Sequence, residues 1–144
     1  MTSRDALRPE FVQFIPDSME EGVLYISQRY RTASHLCCCG CGLEVVTPMN
    51  PAKWALTEHR NGSVSLMPSI GNWGFPCKSH YYIINNRVSC AGAFTPAQIA
   101  AVQRGDQHAV DILIPTRPRR KPLAEAVQEV WAQMSVTIKG WFGK

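Results

Sequence analysis

Nothing at the start of this chain reads as a leader: residues 1–9, Met-Thr-Ser-Arg-Asp-Ala-Leu-Arg-Pro, contain no apolar stretch that a secretory signal needs. No apolar run reaches the roughly 18 residues of a membrane-spanning helix. Internal repeats are missing, and so is a His-Glu-x-x-His helix, the usual mark of a zinc peptidase. Charge is sparse, at 18% of residues with a net of +4. Much of the excess sits late, in Arg117-Pro118-Arg119-Arg120-Lys121. A short basic run is ordinarily a solvated linker. No broad basic face with interleaved aromatics accompanies it, so nucleic acid is not an expected partner. These absences point to a cytoplasmic chain without membrane association, in a compartment where thiols stay reduced.

What is present is enough apolar material for a core. At 144 residues and 45% hydrophobic, the chain suits one ordinary domain and is not globally disordered. Short β-prone runs alternate with turn signals through the first two thirds. Residues 10–15 precede Pro16-Asp17, residues 23–26 follow Gly22, and residues 43–47 end at Pro48. Residues 53–57 and 63–67 flank Asn61-Gly62, a strong hairpin signal, with Leu56, Val64 and Leu66 on shared faces. Residues 81–84 and 88–90 form a further hairpin across Asn85-Asn86, and Tyr81 and Tyr82 should face opposite sides. After Gly92 the pattern becomes helical, with Thr95-Pro96-Ala97-Gln98 as a capping-box start. The expected fold is α+β: a small antiparallel, zinc-ribbon-like domain over 10–94 followed by a C-terminal helical extension. That extension comprises a helix over 95–114 on or next to the β part, a Pro/Arg-rich linker over 115–122 and an amphipathic helix over 123–142.

Chemistry concentrates in the cysteines. Four of six fall in Cys37-Cys38-Cys39-Gly40-Cys41, followed by Gly42, and Cys77 and His80 form a Cys-x-x-His pair downstream. Thiolates and an imidazole in two short clusters suit a tetrahedral zinc ion, and the glycines let the turn curl around the sulfurs. Cys41, Cys77 and His80 are candidate ligands, and the fourth is open among Cys37, Cys38 and Cys39. Cys38-x-x-Cys41 has the commonest knuckle spacing. His35 could be an outer-shell donor or an alternative ligand. Cys90 is expected to be a small buried hydrophobe, and His59 and His108 to be exposed and functionally quiet. One closed zinc site would add on the order of 10 kcal/mol of folding free energy.

The strings His35-Leu36-Cys37-Cys38-Cys39-Gly40-Cys41-Gly42, Gly71-Asn72-Trp73 and Pro76-Cys77-Lys78-Ser79-His80-Tyr81 resemble a small bacterial domain family of unknown function. The resemblance covers roughly residues 11–88 and leaves the helical tail outside. It implies metal binding and a link to ubiquitin-like conjugation components. It also implies that Cys37, Cys39 and Cys41 are pattern positions while Cys38 is free to vary. The ligand set is then Cys39, Cys41, Cys77 and His80, with Cys37 as competing thiolate.

The function expected from this reading is a zinc-stabilised protein-binding module, an accessory or adaptor of a bacterial ubiquitin-like pathway, with protein partners and no assigned catalytic residue. Trp73 would serve either as an aromatic anchor or as a cap on the metal site. The alternative is a zinc-dependent, peptidase-like hydrolase acting on a ubiquitin-like tag, which needs an open coordination position. A cysteine nucleophile activated by His35 is a variant of it. A nucleic-acid-binding zinc module is the lesser alternative.

Overall fold

The computed structural model describes residues 4–113. The expected linker over 115–122 and helix over 123–142 lie outside the described residues. Eight strands and one helix follow in order: β1 (Arg8–Phe11), β2 (Val23–Ser27), β3 (Thr32–Leu36), β4 (Glu44–Pro48), β5 (Ala55–Glu58), β6 (Val64–Gly71), β7 (His80–Ile84), β8 (Arg87–Cys90) and α1 (Pro96–Leu113). They form two four-stranded sheets, β1-β2-β3-β4 and β5-β6-β7-β8. Every pairing is antiparallel except β1 with β2. The α+β reading holds.

The two sheets share one core. Leu24, Ile26, Ala33 and Val45 come from the first, and Val64, Leu66, Ile70, Tyr81 and Ile83 from the second. β2 is buried along its whole length. Its side away from the core is covered by the segment before it, where the Glu20 N–H donates to Tyr25 Oη at 3.3 Å and Ser27 Oγ donates to the Gln13 carbonyl at 2.8 Å.

Turn chemistry sets the registers. Gly62 takes φ 79° in the β5–β6 connection, and Leu56 sits opposite Leu66 as the alternation requires. Asn85 and Asn86 both have positive φ, 51° and 67°, the conformation of a tight two-residue hairpin. Asn86 Oδ1 also accepts the Val64 N–H at 2.8 Å, tying the turn to β6. Tyr81 is buried and Tyr82 exposed, on opposite faces of β7. Cys90 differs from expectation and is exposed, at the last position of β8, the strand at one side of its sheet. His59 is half-buried rather than exposed, with Nε2 2.8 Å from Ser65 Oγ.

One irregularity interrupts the second sheet. Leu66 pairs with Ile83 and Ile70 with Tyr81, so β6 holds two residues more than β7 between these points. Pro68 lies in that stretch, and a proline inside a strand belongs at such a bulge. An even number of extra residues keeps Leu66 and Ile70 both facing the core, and Met67, Pro68 and Ser69 have no partner on β7.

Candidate functional site

Two side-chain constellations lie on either side of one loop, residues 72–79. The first is sulfur. Cys37 follows β3, and the turn after it is closed by Gly40 N–H donating to the Cys37 carbonyl at 3.0 Å, with Gly40 at φ 83° and Gly42 at φ 75°. Cys77 comes from the facing loop, which is folded by the Phe75 N–H on the Asn72 carbonyl and the Lys78 N–H on the Phe75 carbonyl, each at 3.0 Å. The Sγ atoms of Cys37, Cys39, Cys41 and Cys77 all lie within 4.8 Å of one another. Alternation along the turn sends Cys38 the other way, into the core beside Tyr81. Burial, chiefly, pushes its thiol up to about 12.

Four thiols at these distances fit a single metal ion. A tetrahedron with metal–sulfur bonds of about 2.3 Å has edges of about 3.8 Å. The Sγ–Sγ separations are 3.4 Å for Cys37–Cys39, 3.7 Å for Cys41–Cys77 and 4.0 Å for Cys37–Cys77. Burial raises the Cys39 thiol, whereas at Cys77 burial is outweighed by hydrogen bonds with Ser79, Cys39 and Cys41, which together bring it down to about 7. The donors around the sulfurs are in place. Ser79 Oγ is 3.1 Å from Cys37 Sγ, and Asn72 Nδ2 donates to Ser79 Oγ at 2.8 Å and toward Cys37 Sγ at 3.7 Å.

His80 and His35 lie outside the sulfur group. His35 is fully buried in β3, with Nε2 2.8 Å from Tyr81 Oη, and burial lowers its pKa to about 4, so the ring is neutral. His80 opens β7, pairs with Gly71 in the sheet, and places Nε2 2.9 Å from Ser69 Oγ.

That Ser69–His80 pair is the second constellation, and the reading of the sequence did not contain it. The bulge in β6 frees Ser69 from the ladder on the outer face, and the Trp54 indole N–H donates to the Ser69 carbonyl at 3.3 Å. Gly71 gives room for Trp73: a Cβ at Gly71 would lie 2.4 Å from Trp73 Cε2. The indole so seated lies 4.9 Å from the His80 ring and is stacked on Phe94 at 5.4 Å, centroid to centroid. Phe94 precedes the helix start, where the expected capping box forms, with the Gln98 N–H donating to Thr95 Oγ1 at 3.3 Å and the Thr95 N–H to Gln98 Oε1 at 2.8 Å. Ser69 and His80 open onto a cavity of about 320 Å³ walled by Trp54, Pro68, Gly71, Trp73 and Phe94, with Val102 of α1 on its rim.

A second serine–histidine contact, His59 with Ser65, differs in kind. Ser65 is buried, its Oγ also accepts the Asn85 N–H at 2.9 Å, and it does not line the cavity that Ser69 and His80 share. It locks a hairpin. The only sequence hint of Ser69 was the proline before it, which marks a bulge but not a nucleophile.

Among the described residues no helix is long and apolar enough to cross a membrane. No curated protein and no solved structure matches the chain significantly. A family model described as bacterial ubiquitination-like system serine protease (BubE) matches residues 11–91. These residues take in both constellations apart from Phe94 and α1, and they cover more than half of the sequence. The chain belongs to the BubE family, a family of bacterial ubiquitination-like systems.

Proposed function

We propose that this chain is a serine hydrolase that cleaves peptide or isopeptide bonds to a ubiquitin-like protein. Ser69 is the nucleophile and His80 the general base. The observation that carries this reading is the 2.9 Å contact between Ser69 Oγ and His80 Nε2 in the lining of the aromatic-walled cavity. A hydroxyl is a weak nucleophile until a base within hydrogen-bond reach takes its proton. With Nε2 unprotonated, Ser69 Oγ attacks the scissile carbonyl as its proton passes to Nε2. The imidazolium then gives that proton to the departing amine, leaving an acyl-serine. Water, deprotonated by the same nitrogen, releases the acid and restores Ser69. The description of the BubE family as a serine protease supports the same assignment.

The metal belongs to the scaffold in this reading. Cys37, Cys39, Cys41 and Cys77 would hold it, and zinc suits a four-thiolate donor set. Four sulfurs complete a tetrahedron, so the donor set favours a closed structural site over hydrolysis at the ion. The ion would fix residues 72–79, the loop that carries Trp73 and ends at His80. Neither an adaptor role nor a zinc hydrolase accounts for the freed serine beside His80.

Covalent labelling with a fluorophosphonate, followed by peptide mapping, tests the proposal. The label should fall on Ser69, and Ser69→Ala should lower hydrolysis of a ubiquitin-like fusion by at least about 10⁴-fold. Full activity in Ser69→Ala, or a label on Ser65 or Ser79, would refute it.

A further inference from the structure

His80 Nε2 is committed to Ser69, while the other ring nitrogen, Nδ1, is buried with no hydrogen-bond partner. An imidazole that accepts a serine proton becomes a cation, and both of its nitrogens then carry hydrogen. Serine hydrolases of the triad type meet that charge with a carboxylate on Nδ1. None is bonded there among the described residues. Asp106 and Lys53 are the charged groups lining the same cavity, and neither makes a hydrogen bond to His80. The surroundings of the ring are aromatic instead. Phe94 stands nearly perpendicular to it, with centroids 4.4 Å apart and planes at 74°, and Trp73 lies 4.9 Å away at 59°.

We infer that Phe94 and Trp73 are positioning residues that hold the His80 ring and stabilise its cationic form, in the role that a carboxylate takes elsewhere. The inference rests on the assignment of Ser69 and His80 as nucleophile and base. Aromatic faces carry negative potential, and their attraction for a cation grows as water is removed. His80 is only 8% exposed, so the attraction acts with little screening. The fold fixes both rings independently of substrate: Gly71 makes the seat for Trp73, and the capped start of α1 fixes Phe94.

Fluorination of Phe94 drains the ring face while nearly keeping its shape. The full chain carrying mono-, di- and trifluorophenylalanine at this position separates electrostatics from packing. The rate of Ser69 modification by the fluorophosphonate, and kcat on a ubiquitin-like fusion, should fall stepwise, reaching roughly tenfold with three fluorines. KM should stay unchanged, and Phe94→Tyr should keep most of the rate. A flat fluorine series overturns the inference, and so does a hundredfold loss in Asp106→Asn, which would assign the charge to that carboxylate. The underlying reading fails by a different result: Ser69→Ala labelled as fast as the parent.

Discussion

Gly71→Ala isolates the architecture of the cavity from its chemistry. Gly71 is not among the positive-φ glycines, so alanine fits the backbone, and the whole effect must come from space. The added methyl would lie 2.4, 2.5 and 2.6 Å from Trp73 Cε2, Cζ2 and Nε1. No real Cβ tolerates that, and an indole ring has no flexible end to swing aside. Trp73 must leave its seat. Overpacking of this kind costs about 1–3 kcal/mol. Losing the aromatic contacts to His80 and Phe94 adds about 0.5–1.5 kcal/mol each. The total of roughly 4 kcal/mol corresponds to a fall in Tm of about 16–32 °C for a unit of this size. Misplacing the wall beside His80 should also lower kcat about 100-fold, with Ser69 and His80 both present. Thermal denaturation and the rate of active-serine labelling read the two effects. The double variant Gly71→Ala/Trp73→Ala removes the clash, so it should be more stable than the two single effects added together. It should not regain activity. Parental Tm and labelling in Gly71→Ala would refute the packing argument, because the methyl would then have been accommodated without moving the indole.

Other outcomes rest on the same geometry. Changing any one of Cys37, Cys39, Cys41 or Cys77 to serine should lower metal content well below one ion per chain and weaken the thiolate bands of the Co²⁺ form. Cys38→Ser should keep the metal and instead lose about 1–3 kcal/mol, measured by urea unfolding, for a hydroxyl placed in the core. Chelation should loosen residues 72–79 first, seen as loss of hydrogen-exchange protection there, and should reduce labelling of Ser69 as a consequence. Ser65→Ala should cost about 1 kcal/mol for the lost hydrogen bonds and leave hydrolysis near the parental rate, which separates the two serine–histidine contacts by assay. Asn86→Ala should cost about 1–2 kcal/mol, since it combines a strained φ with the loss of the bond from the Val64 N–H.

Local signals carried most of the fold. Asn61-Gly62 and Asn85-Asn86 each place a turn by backbone preference alone, and the alternation on either side then decides which residues are inside. The cysteine run was harder. Three consecutive thiols have the right chemistry, and only the direction of each side chain in the folded turn distinguishes Cys38, turned to Tyr81, from Cys37 and Cys39 at the sulfur cluster. The Cys-x-x-His spacing of Cys77 and His80 suggested a shared ion, because one turn can present both. Here His80 is already the first residue of β7, and strand pairing with Gly71 takes its ring toward Ser69. Ser69 was illegible for a related reason. Its contact with His80 is made between adjacent strands after a two-residue offset, and no motif encodes that offset locally.

Because Gly71 and His80 are partners across the sheet, residues 72–79 leave and rejoin the ladder at the same rung. Adding or deleting residues within that excursion changes nothing about how far Ser69 stands from His80. What the excursion's length does fix is whether Cys77 arrives at the sulfurs of the opposite sheet. The span between the two strands is thus gauged by the cysteine cluster, and a chain that gave up those thiols would be free to vary this stretch while retaining the serine and histidine in register.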